Sequence, residues 1–285
     1  MKKNNYKFIV LLTLCLSLLF ACTNSDKKAL EQLEIARTLY ESNDFNQAKL
    51  EVDNIRNFYP KAYKVIKQGN RLMRDIELKE QQRTIGYCDS TLKIKESEVA
   101  PLTEGFILEK DTAYEEVGNW VYKTQVIEKN VNRCYLRTTV NEKGKIALSS
   151  IYRGSGPLKH SAIKVEGQSG EFANTLTVAE DGANNYTFND GGVYNEIVTY
   201  KNGTDNGVIS FINNNQNQTL KVTFMGKRNL ATTLSKDDKI ALEKSFNLAA
   251  TLSDIELMKK EIKMAQVKIE YLTKKNAESD SIDKE

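Results

Sequence analysis

Glycine is distributed unevenly along this chain of 285 residues. Of the 15 glycines, all but Gly69 and Gly86 lie between Gly105 and Gly226. Because glycine weakens helices and favours the tight turns that join strands, this distribution predicts a β-rich middle between two helical segments. The hydrophobic fraction of 40% and the charged fraction of 28% are typical of a chain that folds.

Residues 104–228 alternate apolar and polar side chains, which is the pattern of strands with one buried face. Cys134–Arg137 and Leu220–Phe224 are two such stretches, and Asn141–Gly144 is one of several turn sequences in this region. The connections are too short for crossover helices, so we expect antiparallel strands. The pattern is compatible with two architectures for this β domain, a β-sandwich and a small barrel.

The segments on either side of the β domain have the three- and four-residue spacing of amphipathic helices. We expect helices over residues 29–101, ended by Pro101, and one long helix over 235–275 with coiled-coil-like spacing. Two helical segments of similar length are expected to pair antiparallel as a stalk that carries the inserted β domain; alternatively, the long helix pairs with another chain. Residues 276–285 are polar and predict a disordered tail. The expected fold class is therefore α+β.

The first helical residues, from Ala29 to Pro60, contain a pattern of two helices and a turn. The residues that carry the pattern are Ala36, Asn43, Asp44, Phe45, Ala48 and Pro60. They resemble a single tetratricopeptide repeat, although Gln32 stands where the repeat has tryptophan. The resemblance implies a groove that binds another protein, and an ordinary helical pair is the alternative.

The N-terminus has the pattern of an export signal. Three lysines precede an apolar run from Phe8 to Phe20, which is too short to span a bilayer, and the run ends in Ala21 and Cys22. With Leu19 three positions before the cysteine, this end resembles the lipobox of bacterial lipoproteins of the Bacteroidota type. The resemblance implies a signal peptide over 1–21, acylation of Cys22, a tether over 22–28 and a membrane anchor.

The residues after Cys22 bear on the compartment. The residue after Cys22 is Thr23, whereas an aspartate at this position would resemble an inner-membrane retention signal. The resemblance therefore implies that the anchor lies in the outer membrane. The tether lacks the acidic run of surface-exported lipoproteins, so a body that faces the periplasm is favoured over one at the cell surface. The predicted signal peptide carries three lysines and no acid, so its removal takes the formal charge from +3 to zero. We therefore expect no nucleic-acid partner.

Two cysteines remain in the mature chain, Cys88 and Cys134. An exported protein can join such a pair in a disulfide. The alternative is two buried free thiols, because Cys134 alternates with apolar residues and Cys88 lies in a helical stretch.

No set of residues predicts catalysis, a metal site or a cofactor. His160 is the single histidine, and its sequence neighbours Ser155 and Ser161 do not form a recognisable nucleophile and base pair. With one histidine, the chain lacks the usual ligands of zinc. We expect a protein that is not an enzyme.

The predicted binding surface lies in the β domain. Trp120 and Tyr122 share one strand face, and Arg133, Tyr135 and Arg137 share another. Two guanidinium groups around an aromatic ring can stack on a sugar or bind a carboxylate. An ordinary solvated strand face is the alternative.

Three functions follow from these patterns, in decreasing order of support. The first is a lipid-anchored envelope protein that serves as a scaffold or adaptor for a protein partner. The second is a surface lipoprotein that binds glycans through the β domain. The third is a periplasmic hydrolase whose carboxylates come from distant strands.

Overall fold

The computed structural model describes residues 25–282. The predicted signal peptide, the predicted acylation site Cys22 and the first residues of the predicted tether lie outside the described residues. The described residues divide into two units, one formed by residues 25–89 with 260–282 and the other by residues 90–259. None of the described helices has the length and apolar content needed to cross a membrane.

The first unit is helical. It contains α1 (25–41), α2 (Phe45–Phe58), the first part of α3 (Tyr63–Leu102) and the last part of α5 (Lys236–Ile282). Asn43, with a φ of 66°, turns the chain after α1, and the Asp44 side chain caps α2 by accepting a hydrogen bond from the Gln47 amide. Ala36 and Ala48 are fully buried where α1 and α2 pack together. The expected helical N-terminal region is therefore confirmed.

Within this unit, α3 and α5 run antiparallel. Lys268 pairs with Glu77 at 3.0 Å, and nearer the start of α3 the Arg74 Nε donates to the side-chain oxygen of Asn276, later in α5, at 2.6 Å. The Asn276 amide also donates to Asp75 at 3.0 Å. The prediction of a disordered tail from residue 276 is wrong as far as Ile282, because buried Asn276 bonds to α3 and the helix continues past it.

The second unit contains ten strands, the short helix α4 (Val208–Asn214), a 3-10 helix (Ile127–Lys129) and the remaining parts of α3 and α5. The strands are β1 (Phe106–Glu109), β2 (Asn119–Tyr122), β3 (Tyr135–Asn141), β4 (Ile146–Gly154), β5 (Ala162–Glu166), β6 (Phe172–Asn174), β7 (Asn185–Asp190), β8 (Val193–Tyr200), β9 (Lys221–Met225) and β10 (Leu230–Thr233). They form a six-stranded sheet of order β1-β2-β3-β4-β8-β7 and a four-stranded sheet of order β10-β9-β5-β6. All strand pairs are antiparallel, as predicted.

The two sheets share one apolar core. Leu136, Leu148 and Tyr200 of the six-stranded sheet belong to the same buried cluster as Ile163 and Phe224 of the four-stranded sheet. This arrangement is a β-sandwich, one of the two predicted architectures, and the α+β class is confirmed.

A second cluster lies where the six-stranded sheet meets the parts of α3 and α5 that belong to this unit. Val140 of β3 packs there with Leu248 and Leu252 of α5. The turn after β3 approaches α5 so closely that a Cβ on Gly144, whose φ is 77°, would lie 2.2 Å from the backbone nitrogen of Ser253. Only glycine fits this turn, which explains its place in the predicted hairpin.

Candidate functional site

The candidate site lies on the outer face of the six-stranded sheet, which points away from the shared core. Side chains alternate along a strand, so burial of Leu136 and Leu148 in the core turns their neighbours to this outer face. The register forms rows across β3, β4, β8 and β7. The central row consists of Tyr135, Ile151, Ile197 and Tyr186. One flanking row consists of Arg153, Asn195 and Phe188, and the other of Arg137, Ser149 and Thr199.

These rows form the floor of a cavity of about 490 Å³, which we call the outer-face cavity. Its wall is the loop that runs from the short 3-10 helix Ile127–Lys129 to Arg133. The volume lies within the range of roughly 300 to 1,000 Å³ that is usual for small-molecule sites. The central row of the floor is aromatic and aliphatic, and the flanking rows are mostly polar, a combination that can bind a ligand with both apolar and polar parts.

The wall loop is held by one buried side chain. The Asn130 amide donates to the carbonyl oxygens of Thr124 and Val126, each at 2.8 Å, and its oxygen accepts from the Arg133 Nε at 2.7 Å. These bonds tie the Asn130 side chain to the backbone that precedes it and to the Arg133 side chain that follows it. The aliphatic side chains of Ile127 and Val131 are held beside the cavity and remain exposed.

Three arginines line the cavity, and two of them have carboxylate partners. Arg133 binds both oxygens of Asp238 at 2.6 Å and lies 4.7 Å above the Tyr135 ring. The hydrogen bond with Asp238 raises the pKa of Arg133. Arg137 binds both oxygens of Glu109 at 2.8 Å. These two guanidinium groups are therefore neutralised within the protein.

The third arginine has a different environment. Arg153 donates to the Asn195 side-chain oxygen at 2.9 Å and has no carboxylate partner among residues 25–282. Asp190 is the one acidic side chain in the described lining, and it is exposed to solvent at the end of β7. Arg153 is thus the cation of the cavity that is available to a ligand.

The structure brings Arg133, Tyr135 and Arg137 of the predicted binding surface to this cavity, but it does not bring Trp120 and Tyr122. Trp120 pairs with Val140 in the sheet and packs in the cluster beside α5. Tyr122 contacts the Phe106 ring, with centroids 5.2 Å apart. Carboxylates distant in sequence already bind Arg133 and Arg137, and ligand binding by these two arginines stays a prediction.

Several cavity residues were missed from the sequence. They are Arg153 and Ile151 on β4, Ile197 on β8, and Tyr186 and Phe188 on β7. The sequence alternation within each strand indicates that the listed residues of that strand share one face. The strand order β3-β4-β8-β7, which brings these strands together, has no local signal.

The possible disulfide between Cys88 and Cys134 is absent, and both are free thiols. Cys88 is buried in α3. The Cys134 sulfur lies 3.4 Å from both the backbone nitrogen and the backbone oxygen of Arg153, so it faces the neighbouring strand. Burial raises the pKa of the Cys134 thiol, which makes it a poor nucleophile.

His160 lies in a buried polar network rather than beside its sequence neighbours Ser155 and Ser161. Its Nε2 is 2.9 Å from the Ser150 hydroxyl, and its Nδ1 is 2.7 Å from Glu196. This is the order of a nucleophile, a base and an orienting carboxylate. Ser150, His160 and Glu196 are 0%, 1% and 1% exposed, however, so a substrate has no access to the hydroxyl in this conformation.

Glu196 holds the loop before β5. Its carboxylate accepts hydrogen bonds from the backbone amides of Leu158 at 2.6 Å, Lys159 at 2.8 Å and His160 at 3.0 Å. Burial alone would raise the pKa of Glu196, but the hydrogen bonds from the His160 side chain and these amides lower it to about 2. The network is therefore a charged structural centre between the two sheets.

Within the described residues, no group of three or more histidine, cysteine or acidic side chains is arranged to hold a metal ion. Comparison of the chain with protein families, with curated proteins and with solved structures finds no match. Any functional conclusion therefore depends on the geometry of the outer-face cavity and on the sequence motifs.

Proposed function

We propose that this protein is a lipid-anchored, non-enzymatic envelope protein whose β-sandwich binds a ligand in the outer-face cavity. One observation carries the proposal: a cavity of about 490 Å³ lies on the regular face of a sheet and has apolar side chains open to solvent around it. Exposed apolar side chains around a concave site are a common feature of binding surfaces.

Binding is better supported than hydrolysis. The described cavity lining carries three arginines and one aspartate, whereas acid–base hydrolysis uses a pair of carboxylates or a base beside a nucleophile. The one triad-like group found in the described residues, around His160, is buried between the sheets.

The anchor in this proposal is the acylated Cys22, which holds the body at the outer membrane on the periplasmic side. It is supported by the lipobox-like end of the apolar run. Cells fed a labelled fatty acid are expected to label the wild-type chain and not Cys22→Ser. Equal labelling of both chains, or of neither, contradicts the anchor.

The cavity is tested with the mature chain, residues 22–285, carrying Cys22→Ser so that no detergent is needed. The probe is N-phenylnaphthylamine, a neutral apolar dye whose fluorescence rises in an apolar site. We expect saturable binding that Thr199→Trp lowers at least about tenfold, because the indole fills the cavity floor.

The matched control is Thr187→Trp. Thr187 is an exposed residue on the other face of β7 from Tyr186 and Phe188. It is expected to leave the dye affinity within about threefold of the unmodified chain. Dye binding that is absent, or that Thr199→Trp leaves unchanged, contradicts the proposal.

A scaffold role for the helical unit is the second candidate. Leu30, Ile35 and Leu50 are large apolar side chains exposed on α1 and α2, in the segment that resembles a tetratricopeptide repeat. A photo-crosslinking residue at Leu50 is expected to form a protein adduct in intact cells, and one at the exposed Glu180 of the β unit is not. The absence of an adduct at Leu50 contradicts this role.

A further inference from the structure

The outer-face cavity has a pronounced apolar part. Ile151 and Ile197 form the centre of its floor. Ile127, Val131, Tyr186 and Phe188 stand around it and are 57%, 48%, 37% and 49% exposed. Since water solvates such side chains poorly, a ligand with an apolar body would gain by covering them.

Among the described residues that line the same cavity, Arg153 is the one cation without a carboxylate partner. Arg153 lies two residues after Ile151 on the same face of β4, and it donates one guanidinium N–H to Asn195. A guanidinium has five N–H donors, so most of its hydrogen-bonding capacity remains for a ligand. Arg133 and Arg137 do not compete for an anion, because Asp238 and Glu109 occupy them.

The position of this cation defines a direction within the site. Arg153 is in the row that ends at Phe188, directly beside the apolar row that runs from Tyr135 to Tyr186. Successive rows on one face of a strand are about 7 Å apart, so one molecule can place a charged end on Arg153 and its body on the apolar row.

We propose that the outer-face cavity binds an anionic amphiphile, with its headgroup on Arg153 and its apolar body on the central row and the wall loop. This inference rests on the proposed function, and it names the class of ligand. A neutral sugar would leave the four exposed apolar side chains only partly covered, and a purely apolar molecule would leave Arg153 without a counter-ion.

The test is isothermal titration calorimetry of the mature chain carrying Cys22→Ser with three probes, with decanoate kept below its micelle concentration and decanol below its solubility limit. Decanoate has the apolar chain and the anion, decanol has the chain alone, and glucuronate has the anion on a sugar. Decanoate is expected to bind with one site per chain and at least about tenfold more tightly than decanol, because a charge-assisted hydrogen bond adds that much affinity. Glucuronate is expected to bind at least about tenfold more weakly than decanoate.

Arg153→Met tests the headgroup contact, since it removes the charge and keeps an unbranched side chain. It is expected to lower decanoate affinity at least about tenfold and to change decanol affinity less than about threefold. Arg228→Met is the matched control. Arg228 is an exposed arginine of the same unit, outside the cavity, and it likewise donates to one neutral oxygen, that of Pro157 at 3.0 Å. Circular dichroism establishes that each variant is folded.

The outcomes separate this inference from the proposed function. Equal affinity for decanoate and decanol, or equal losses in Arg153→Met and Arg228→Met, overturns the role of Arg153. Tight binding of glucuronate without binding of decanoate overturns the inference that the ligand is an amphiphile. It favours a glycan as the ligand and is compatible with the proposal that the cavity is the binding site. Decanoate binding that survives Thr199→Trp places the amphiphile elsewhere. If the neutral dye also fails to bind, the proposed function fails with the inference.

Discussion

Replacement of Glu196 by glutamine tests the account of the buried network most directly. The carboxylate accepts four hydrogen bonds, from the backbone amides of Leu158, Lys159 and His160 and from the His160 ring. Glutamine has almost the same shape but offers one oxygen. Its NH₂ group must therefore face amide N–H groups in a site that is 1% exposed.

Two arguments give the magnitude, and both rest on the same hydrogen bonds to the Glu196 carboxylate. At least one backbone N–H loses its acceptor whichever way the amide is turned, at a cost of about 1 to 3 kcal/mol, and the remaining bonds lose their ionic strengthening. The pKa of Glu196 gives a similar value: a shift from 4.5 to about 2 corresponds to about 3 kcal/mol of stability at neutral pH. We therefore expect Glu196→Gln to lower the free energy of unfolding by about 3 kcal/mol.

The measurement is denaturant unfolding at pH 7 followed by tryptophan fluorescence. Trp120, the single tryptophan, lies within the β-sandwich unit and reports its unfolding. Glu180→Gln, at an exposed loop position of the same unit, is the matched control and is expected to change stability by less than about 0.5 kcal/mol.

The pH dependence has a definite sign. The folded-state pKa of Glu196 is lowered, so its contribution is complete above the unfolded pKa and is lost as the pH falls towards about 2. The stability difference between wild type and Glu196→Gln should therefore shrink between pH 4.5 and about 2. A loss at pH 7 no larger than that of Glu180→Gln would refute the reasoning.

Three further predictions concern the turns, the thiols and the C-terminal helix. Gly144→Ala should destabilise the β unit by about 3 kcal/mol in thermal unfolding, because the new Cβ would meet the α5 backbone. The control Gly170→Ala should cost only about 1 kcal/mol, because Gly170 also has a positive φ, 89°, but has open space around it. Equal losses in the two variants would contradict the close approach of Gly144 to α5. Cys134 should react with a thiol reagent at least about tenfold faster in denaturant than in the native chain, and fast native labelling would contradict its contact with Arg153. Asn276→Ala should speed amide hydrogen exchange at the end of α5, whereas unchanged exchange would show that its bonds to α3 do not hold this end.

Local patterns in the sequence determined the class of fold. Glycine between Gly105 and Gly226, two-residue alternation and short turn sequences predicted antiparallel strands in the middle of the chain. The spacing of apolar residues predicted the helices, and α5 runs from Lys236 as expected. These patterns involve residues only a few positions apart, so they predict a helix or a strand without knowledge of which element packs against it. The end of α5 was missed because Asn276 is ordered by side chains of α3, some 200 positions away.

The candidate site was predicted only in part, and the reason is physical. Alternation placed Tyr135 and Arg137 on one face of β3 and Arg133 in line with them just before the strand, but it carried no information about which strands lie beside β3. Ser149 and Thr199 are 50 positions apart, and their hydroxyl groups lie 2.9 Å from each other on the cavity floor. Whether an arginine is available to a ligand depends on carboxylates such as Asp238, which is 105 positions from Arg133. Strand order and ion-pair partners arise from packing of the whole unit, so only the tertiary structure decided that a cavity exists and that Arg153 is its available cation.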